Sequence, residues 1–110
     1  DNVGIQFLGV WDTVGALGIP SNGLDRVDLR YEFHDTGLSR RVKNAYHALS
    51  LDETRPEFLP TLWTSKPKDG QRVEQVWFAG VHSEVGGGKK VSLTDIPLRW
   101  MQEKAMENSL

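Results

Sequence analysis

Two largely apolar runs, of which the first is nearly continuous, each lead into a glycine-rich segment and constrain the fold of this 110-residue chain more than any other feature. The first run covers Val3 to Trp11 and is followed by Asp12, Thr13 and a stretch rich in Gly, Pro and Ser. The second covers Val73 to Ala79 and continues into a loop from Gly80 to Gly88. Because apolar residues do not simply alternate with polar ones, both runs predict strands buried on both faces, as in parallel sheets.

Two further segments carry helical signals. From residue 38 onward, apolar residues recur at a period of about 3.6, which predicts a helix that Thr36 or Ser39 caps and that ends within residues 51–56. The stripe consists of Leu38, Val42, Ala45, Tyr46 and Leu49. A closing helix is predicted with a cap at Thr94 or Asp95 and Pro97 in its first turn. Its shared apolar face consists of Leu98, Met101 and Ala105.

The order of these elements predicts an α/β fold, with parallel strands joined by a right-handed crossover helix. Between the first helix and the second strand, residues 58–64 are expected to be a short extended piece. Pro60 argues against a central strand there. Residues 66–70 are expected to form a surface turn.

Composition excludes several classes of function. Thirteen Lys and Arg against 15 Asp and Glu leave a net charge of −2, which argues against a nucleic-acid binder or a polybasic membrane-surface domain. No apolar run reaches the roughly 18–20 residues that a transmembrane helix needs. The absence of Cys excludes disulfides, Cys-based zinc sites and cysteine nucleophiles.

The residues most suited to chemistry are Asp12 and His82, because each follows one of the predicted strands. Ligands of open parallel sheets bind beyond the carboxyl ends of the strands, and neighbouring strands would bring both residues to one edge. An Asp there can fix the tautomer of the His and stabilise its imidazolium form, which leaves the second ring nitrogen as general base or acid. The simpler alternatives are a turn-forming Asp and a solvated loop His.

Other chemical interpretations are weaker. Asp12 as an aspartyl-phosphate nucleophile would want a second carboxylate two residues later, where the chain has Val14. Residues 83–90 lack the first glycine and the Ser or Thr of a phosphate-binding loop. His47, Asp52 and Glu53 follow no recognised spacing of metal ligands, so a surface or capping cluster is expected there. No metal and no cofactor is therefore predicted.

A hydrolytic triad would also need a nucleophilic Ser, which α/β-hydrolases carry in a G-x-S-x-G turn ahead of the Asp and His. The chain has no such motif, since Arg41 replaces the second glycine around Ser39. Ser39 is better explained as a helix start and Ser83 as a loop hydrogen bonder. We therefore expect residues 1–110 to be the C-terminal part of one larger domain, with the nucleophile N-terminal to them. A non-catalytic binding module that keeps the fold is the alternative.

Three motifs and a closing segment resemble the type VI secretion phospholipase effector-like catalytic domain, a family of α/β-hydrolases. The motifs are F-L-G-V-W-D-T-V-G-A from residue 7, N-A-Y-H-A-L-S-L-D-E-T-R from residue 44 and V-W-F-A-G-V-H-S-E-V-G-G-G from residue 76, and the closing segment is L-T-D-I-P-L-R-W-M from residue 93. Glu84 stands where the family usually has Asp.

The resemblance implies a partial α/β-hydrolase fold in which Asp12 and His82 belong to a Ser-Asp-His triad. It also implies an ester or phospholipid substrate and, as partners, proteins of a secretion apparatus. The residues themselves identify no compartment, and the resemblance is compatible with the bacterial cytoplasm or with delivery by a secretion system.

Overall fold

The computed structural model describes residues 3–14, 37–88 and 92–110, which contain a three-stranded parallel sheet. The strands are β1 (Leu8–Trp11), β2 (Asn44–Ser50) and β3 (Arg72–Phe78), with β2 in the centre. Two α-helices follow, α1 (His82–Val85) and α2 (Ser92–Glu107), and Pro56–Phe58 forms one 3₁₀ turn. A parallel sheet with helices is compatible with the predicted α/β class.

The helix predicted from residue 38 is wrong, because its second half is the central strand β2. All residues from Ala45 to Ser50 are buried, since β2 is covered on both faces and flanked by a strand on each side. Leu38 and Val42 are also buried, but they precede the strand. The helical period arose because two buried residues before the strand and the buried residues of β2 happen to be spaced like one face of a helix. Ser39 accordingly lies in the segment before β2 and starts no helix.

The two runs predicted as doubly buried strands form the edges of the described sheet. β1 begins only at Leu8 and its residues are half-buried, while Val3 is 75% exposed. β3 begins one residue before the predicted run, and Trp77 is 47% exposed. The strand positions were therefore predicted better than their burial.

Two clusters of apolar side chains cover the faces of β2. On one face, Tyr46 and Ala48 pack with Val85 of α1 and Met101 of α2. On the other, Ala45 packs with residues from the segment before β2, from the neighbouring strands and from the chain between β2 and β3, namely Leu38, Val42, Leu8, Val73 and Trp63. The sheet is thus held between helices on one side and irregular chain on the other.

The remaining local predictions have mixed outcomes. Residues 66–70 do turn, with the Gln71 N–H donating to the Lys68 carbonyl at 2.9 Å. Pro60 forms only an isolated bridge with Val14. In α2, Pro97 and Met101 are buried, but Leu98 is 42% exposed and so does not share their face.

The second glycine-rich segment is not all loop, since it contains α1. Several predicted features lie outside the described residues: the glycine-rich loop after Val14, His34, Thr36 and Lys89-Lys90.

Candidate active site

Asp12 lies at the carboxyl edge of the sheet, directly after β1, and is fully buried. Its N–H donates to the Ala48 carbonyl at 2.6 Å, and its φ of +45° is in the left-handed region that non-glycine residues rarely adopt. Its carboxylate receives two hydrogen bonds from Ser50, from the N–H to Oδ1 at 2.6 Å and from the hydroxyl to Oδ2 at 2.8 Å. β2 therefore fixes both the backbone and the carboxylate of Asp12.

His82 is the first residue of α1, and its Nδ1 lies 2.6 Å from Asp12 Oδ2. A carboxylate only accepts hydrogen bonds, so the imidazole proton belongs on Nδ1 and Nε2 is left with a lone pair. The His82 side chain is 30% exposed, and no group in residues 3–14, 37–88 or 92–110 hydrogen-bonds Nε2. The buried Asp12 carboxylate thus orients the imidazole of His82, whose ring remains partly accessible to solvent.

The route by which the pair meets differs from the sequence prediction. β1 and β3 are separated by β2, so Asp12 and His82 do not follow neighbouring strands. The chain after β3 instead turns across the end of β2, where the Asp52 N–H donates to the Gly80 carbonyl at 3.0 Å. Gly80 makes this turn with φ of +118°, and a Cβ there would lie 3.1 Å from the Glu84 side chain. The loop carries His82 back over β2 to Asp12.

The residues after β2 form a third part of the site that the sequence prediction missed. Glu53 and His47 were expected in a surface or capping cluster, yet both are buried. They are also not one cluster, because His47 lies within β2 whereas Glu53 follows the strand. A strand prediction for β2 would have indicated the role of the residues at its end. By the same strand-end rule, Ser50, Asp52 and Glu53 would have fallen at the carboxyl edge beside Asp12.

The Glu53 carboxylate accepts five hydrogen bonds, one of which comes from the backbone of His82. Its Oε1 accepts the His82 N–H at 3.0 Å and the Arg55 Nη2 at 2.9 Å. Its Oε2 accepts Nε and the backbone N–H of Arg55, both at 2.9 Å, and the Thr54 N–H at 3.1 Å. Hydrogen bonds from the Arg55 side chain hold the pKa of Glu53 well below its usual range, so this buried carboxylate is ionised.

His47 is buried and bonded on both ring nitrogens. Nδ1 lies 3.1 Å from Gln75 Oε1, which also accepts the Trp63 N–H at 2.9 Å, and Nε2 accepts the Thr13 N–H at 3.1 Å. Burial lowers the pKa of His47, and a neutral ring with its proton on Nδ1 satisfies both contacts. Because Thr13 follows Asp12 in the chain, a neutral His47 supports the Asp12 turn from the other face of the sheet.

The geometry of the described residues gives little support to another serine nucleophile or to a metal site. Ser50 is the hydroxyl that contacts the pair among the described residues, and it binds Asp12 rather than Nε2. Ser39 precedes β2, so it lies toward the amino ends of the strands, away from Asp12. Across the described ranges, no three His, Cys, Asp or Glu side chains are grouped so as to hold a metal ion.

Neither helix in the described part of the chain combines the length and apolar character that crossing a membrane requires.

Comparison with known proteins places the chain in one family. Residues 1–104 match the family model described as "T6SS, Phospholipase effector Tle1-like, catalytic domain". Comparison with curated proteins and with solved structures gave no match. The family description supports phospholipase or hydrolase activity and a lipid substrate. A match over nearly the whole chain shows that this protein belongs to the Tle1-like phospholipase effector catalytic-domain family of type VI secretion.

Proposed function

We propose that this chain supplies the Asp and His of a Ser-Asp-His triad in an α/β-hydrolase that cleaves carboxylic esters of phospholipids. In this proposal, residues 1–110 form the C-terminal part of one larger domain. The nucleophilic Ser belongs to the same domain but comes from outside these 110 residues. The observation that carries the proposal is the 2.6 Å contact between buried Asp12 and His82, whose ring is partly exposed. It has the geometry that a general base needs at the edge of a parallel sheet.

In the first half-reaction, His82 Nε2 takes the proton from the serine hydroxyl as the serine oxygen attacks the ester carbonyl carbon. The resulting imidazolium lies beside Asp12, whose carboxylate stabilises the new positive charge. As the tetrahedral intermediate collapses, the carbon–oxygen bond to the alcohol breaks. His82 then gives its proton to the leaving alkoxide.

In the second half-reaction, His82 takes a proton from water as the water oxygen attacks the carbonyl carbon of the acyl-serine. The bond from that carbon to the serine oxygen then breaks, His82 returns the proton to the serine oxygen, and the fatty acid is released. Negative charge on the carbonyl oxygen requires an oxyanion hole in both halves. In α/β-hydrolases one of its backbone N–H groups follows the nucleophile, so this part of the site also lies outside the chain.

The test is His82→Ala in the complete enzyme, assayed on phospholipid vesicles and on a short-chain ester. We expect kcat/KM to fall by at least ~10³-fold, because loss of the general base removes most triad catalysis. Glu107→Gln is the matched control, since Glu107 is 55% exposed and pairs only with Lys104 among the described residues. Activity retained by folded His82→Ala would remove His82 from the mechanism. An inactive wild-type enzyme would favour the non-catalytic binding module.

A further inference from the structure

The three charged residues that follow β2 hold the loop carrying His82, and no part of the triad chemistry accounts for them. We call Asp52, Glu53 and Arg55 the β2 clamp. We propose that Glu53, acting within this clamp, is a positioning residue that sets the angle of the His82 imidazole toward Asp12 and the serine. The inference rests on the proposed function and extends it to residues that do not touch the substrate.

The first part of the clamp fixes the loop before His82. The Asp52 N–H donates to the Gly80 carbonyl at 3.0 Å, and Asp52 Oδ2 accepts the Gly80 N–H at 2.6 Å. Gly80 is thereby bound on both of its backbone polar groups, at the residue whose positive φ turns the chain. Asp52 thus sets where the loop crosses the end of β2.

The second part fixes His82 itself. The Glu53 side chain is only 1% exposed, and one oxygen is within 3.0 Å of the His82 backbone nitrogen. Glu53 therefore ties the first residue of α1 to the end of β2, while Asp12 ties the ring of the same residue to the end of β1. With its backbone and its ring each anchored to a different strand end, His82 has little rotational freedom.

The third part bears on the imidazole ring. Arg55 binds Glu53 through two side-chain nitrogens, and its Cζ lies 4.4 Å from the centre of the Phe58 ring. The Phe58 ring lies 5.2 Å from the His82 ring at an angle of 32°. Arg55 therefore links the carboxylate that holds the His82 backbone to the aromatic ring that packs on its side chain.

A positioning role should lower turnover more than substrate binding, because a histidine displaced by a fraction of an ångström still leaves the substrate pocket intact. In the complete enzyme, Glu53→Gln replaces one carboxylate oxygen with an NH₂ group, which donates hydrogen bonds and cannot accept one from His82 or Arg55. We expect kcat to fall 10–100-fold with KM changed less than threefold. Glu107→Gln removes the same charge at an exposed site and should leave both parameters unchanged.

A second readout reports the His82 ring without any substrate. In the complete protein labelled with ¹⁵N-histidine, the proton shared between His82 Nδ1 and Asp12 should give a low-field signal, assigned by its loss in His82→Ala. We expect this signal to move upfield or broaden in Glu53→Gln and to stay in place in Glu107→Gln. This measurement tests the clamp separately from the proposed function, because the His82 signal can be recorded even if the wild-type protein is inactive.

Should Glu53→Gln fail to fold, Arg55→Met takes its place. It keeps the Glu53 carboxylate and its bond to His82 but removes the link to Phe58. We expect a three- to tenfold loss of kcat with unchanged KM, and Arg55→Lys should recover little because an ammonium cannot pair in bidentate fashion. Folded variants with wild-type kcat and an unmoved His82 signal would overturn the proposal.

Discussion

At the scale of single residues, Asp12 combines full burial with a positive φ. A φ of +45° is an unfavourable backbone conformation for a residue other than glycine, and such conformations cost on the order of 1–3 kcal/mol. The structure holds Asp12 in this conformation with hydrogen bonds to its N–H and to both carboxylate oxygens. Ser50 provides two of these bonds, so it is a natural place to test how far the carboxylate depends on its neighbours.

We predict that Ser50→Ala lowers kcat/KM of the complete enzyme about three- to tenfold. The substitution removes the hydroxyl bond to Asp12 Oδ2 but keeps the backbone bond to Oδ1. Losing one hydrogen bond to a charged group costs about 1.5–3 kcal/mol, part of which appears as lost stability. Kinetics and urea unfolding of the same preparation measure both effects. An unchanged kcat/KM would show that Ser50 does not tune the carboxylate.

A second residue-scale prediction concerns the acid sensitivity of His47. Its pKa in the folded protein is below the value of 6.5 typical of an unfolded chain, so unfolding takes up a proton at mildly acidic pH. The stabilisation from a neutral His47 is therefore complete above about pH 6.5 and declines as the pH falls below that value. The decline is at most about 1.4 kcal/mol per pH unit.

Urea unfolding at pH 7, 6 and 5 tests this prediction. Wild type should lose stability toward pH 5 more steeply than His47→Gln, whose side chain does not titrate but still accepts from the Thr13 N–H. Parallel curves for the two proteins would show that His47 does not contribute to the pH dependence.

At the scale of elements, β2 organises both the core and the site. Its two faces are covered by different apolar clusters, and its carboxyl end supplies Ser50 and the β2 clamp. On the helix side, α2 also approaches β1 closely. A Cβ on Gly9 would lie 2.7 Å from Met101 Sδ and 3.1 Å from the Phe7 ring. β1 can therefore pack under α2 only with glycine or with a shift of Met101.

We predict that Gly9→Ala lowers the free energy of unfolding by about 1–3 kcal/mol, as overpacking of a filled core does. Met101 is buried, so its side chain has little room to move. Gly4→Ala is the control, because its new methyl would meet only the Arg41 carbonyl, at an ordinary 3.8 Å. Urea denaturation of both variants gives the comparison, and equal stabilities would contradict the tight contact between β1 and α2.

At the scale of the whole molecule, the family match covers residues 1–104 and spans all of the elements that build the site. Asp12, His82 and the β2 clamp come from three separate strand ends and meet at one edge of the sheet. Residues 1–110 contain no G-x-S-x-G motif, and in the described part of the chain no serine hydroxyl bonds His82 Nε2. That a larger domain supplies the nucleophilic serine remains a prediction.

We predict that the 110-residue chain alone does not react with a serine-directed fluorophosphonate probe. Such probes require a serine activated by a base and an oxyanion hole, and Ser50 instead donates to Asp12. Mass spectrometry after labelling checks the result, with the complete enzyme as the positive control. Labelling at Ser39 or Ser83 would overturn the assignment of the nucleophile to a segment outside this chain.

The amino-acid sequence by itself determined the α/β class, the positions of β1 and β3, the family resemblance and the two residues that meet at the strand ends. These features are local, since apolar runs, glycine-rich turns and contiguous motifs can be read from neighbouring residues. The catalytic role of Asp12 and His82 remains a proposal. The central strand was misread because burial on two faces leaves no period of two, and two buried loop residues completed a helical spacing.

Only the tertiary structure decided that β2 lies between β1 and β3 and that the loop after β3 crosses its end. It also revealed Ser50 and the β2 clamp as partners of Asp12 and His82. These contacts join residues 28 to 70 positions apart, so their energies depend on strand order and register rather than on local sequence. The buried carboxylate of Glu53 is stabilised locally by Arg55, and only the fold adds the His82 N–H, 29 positions away.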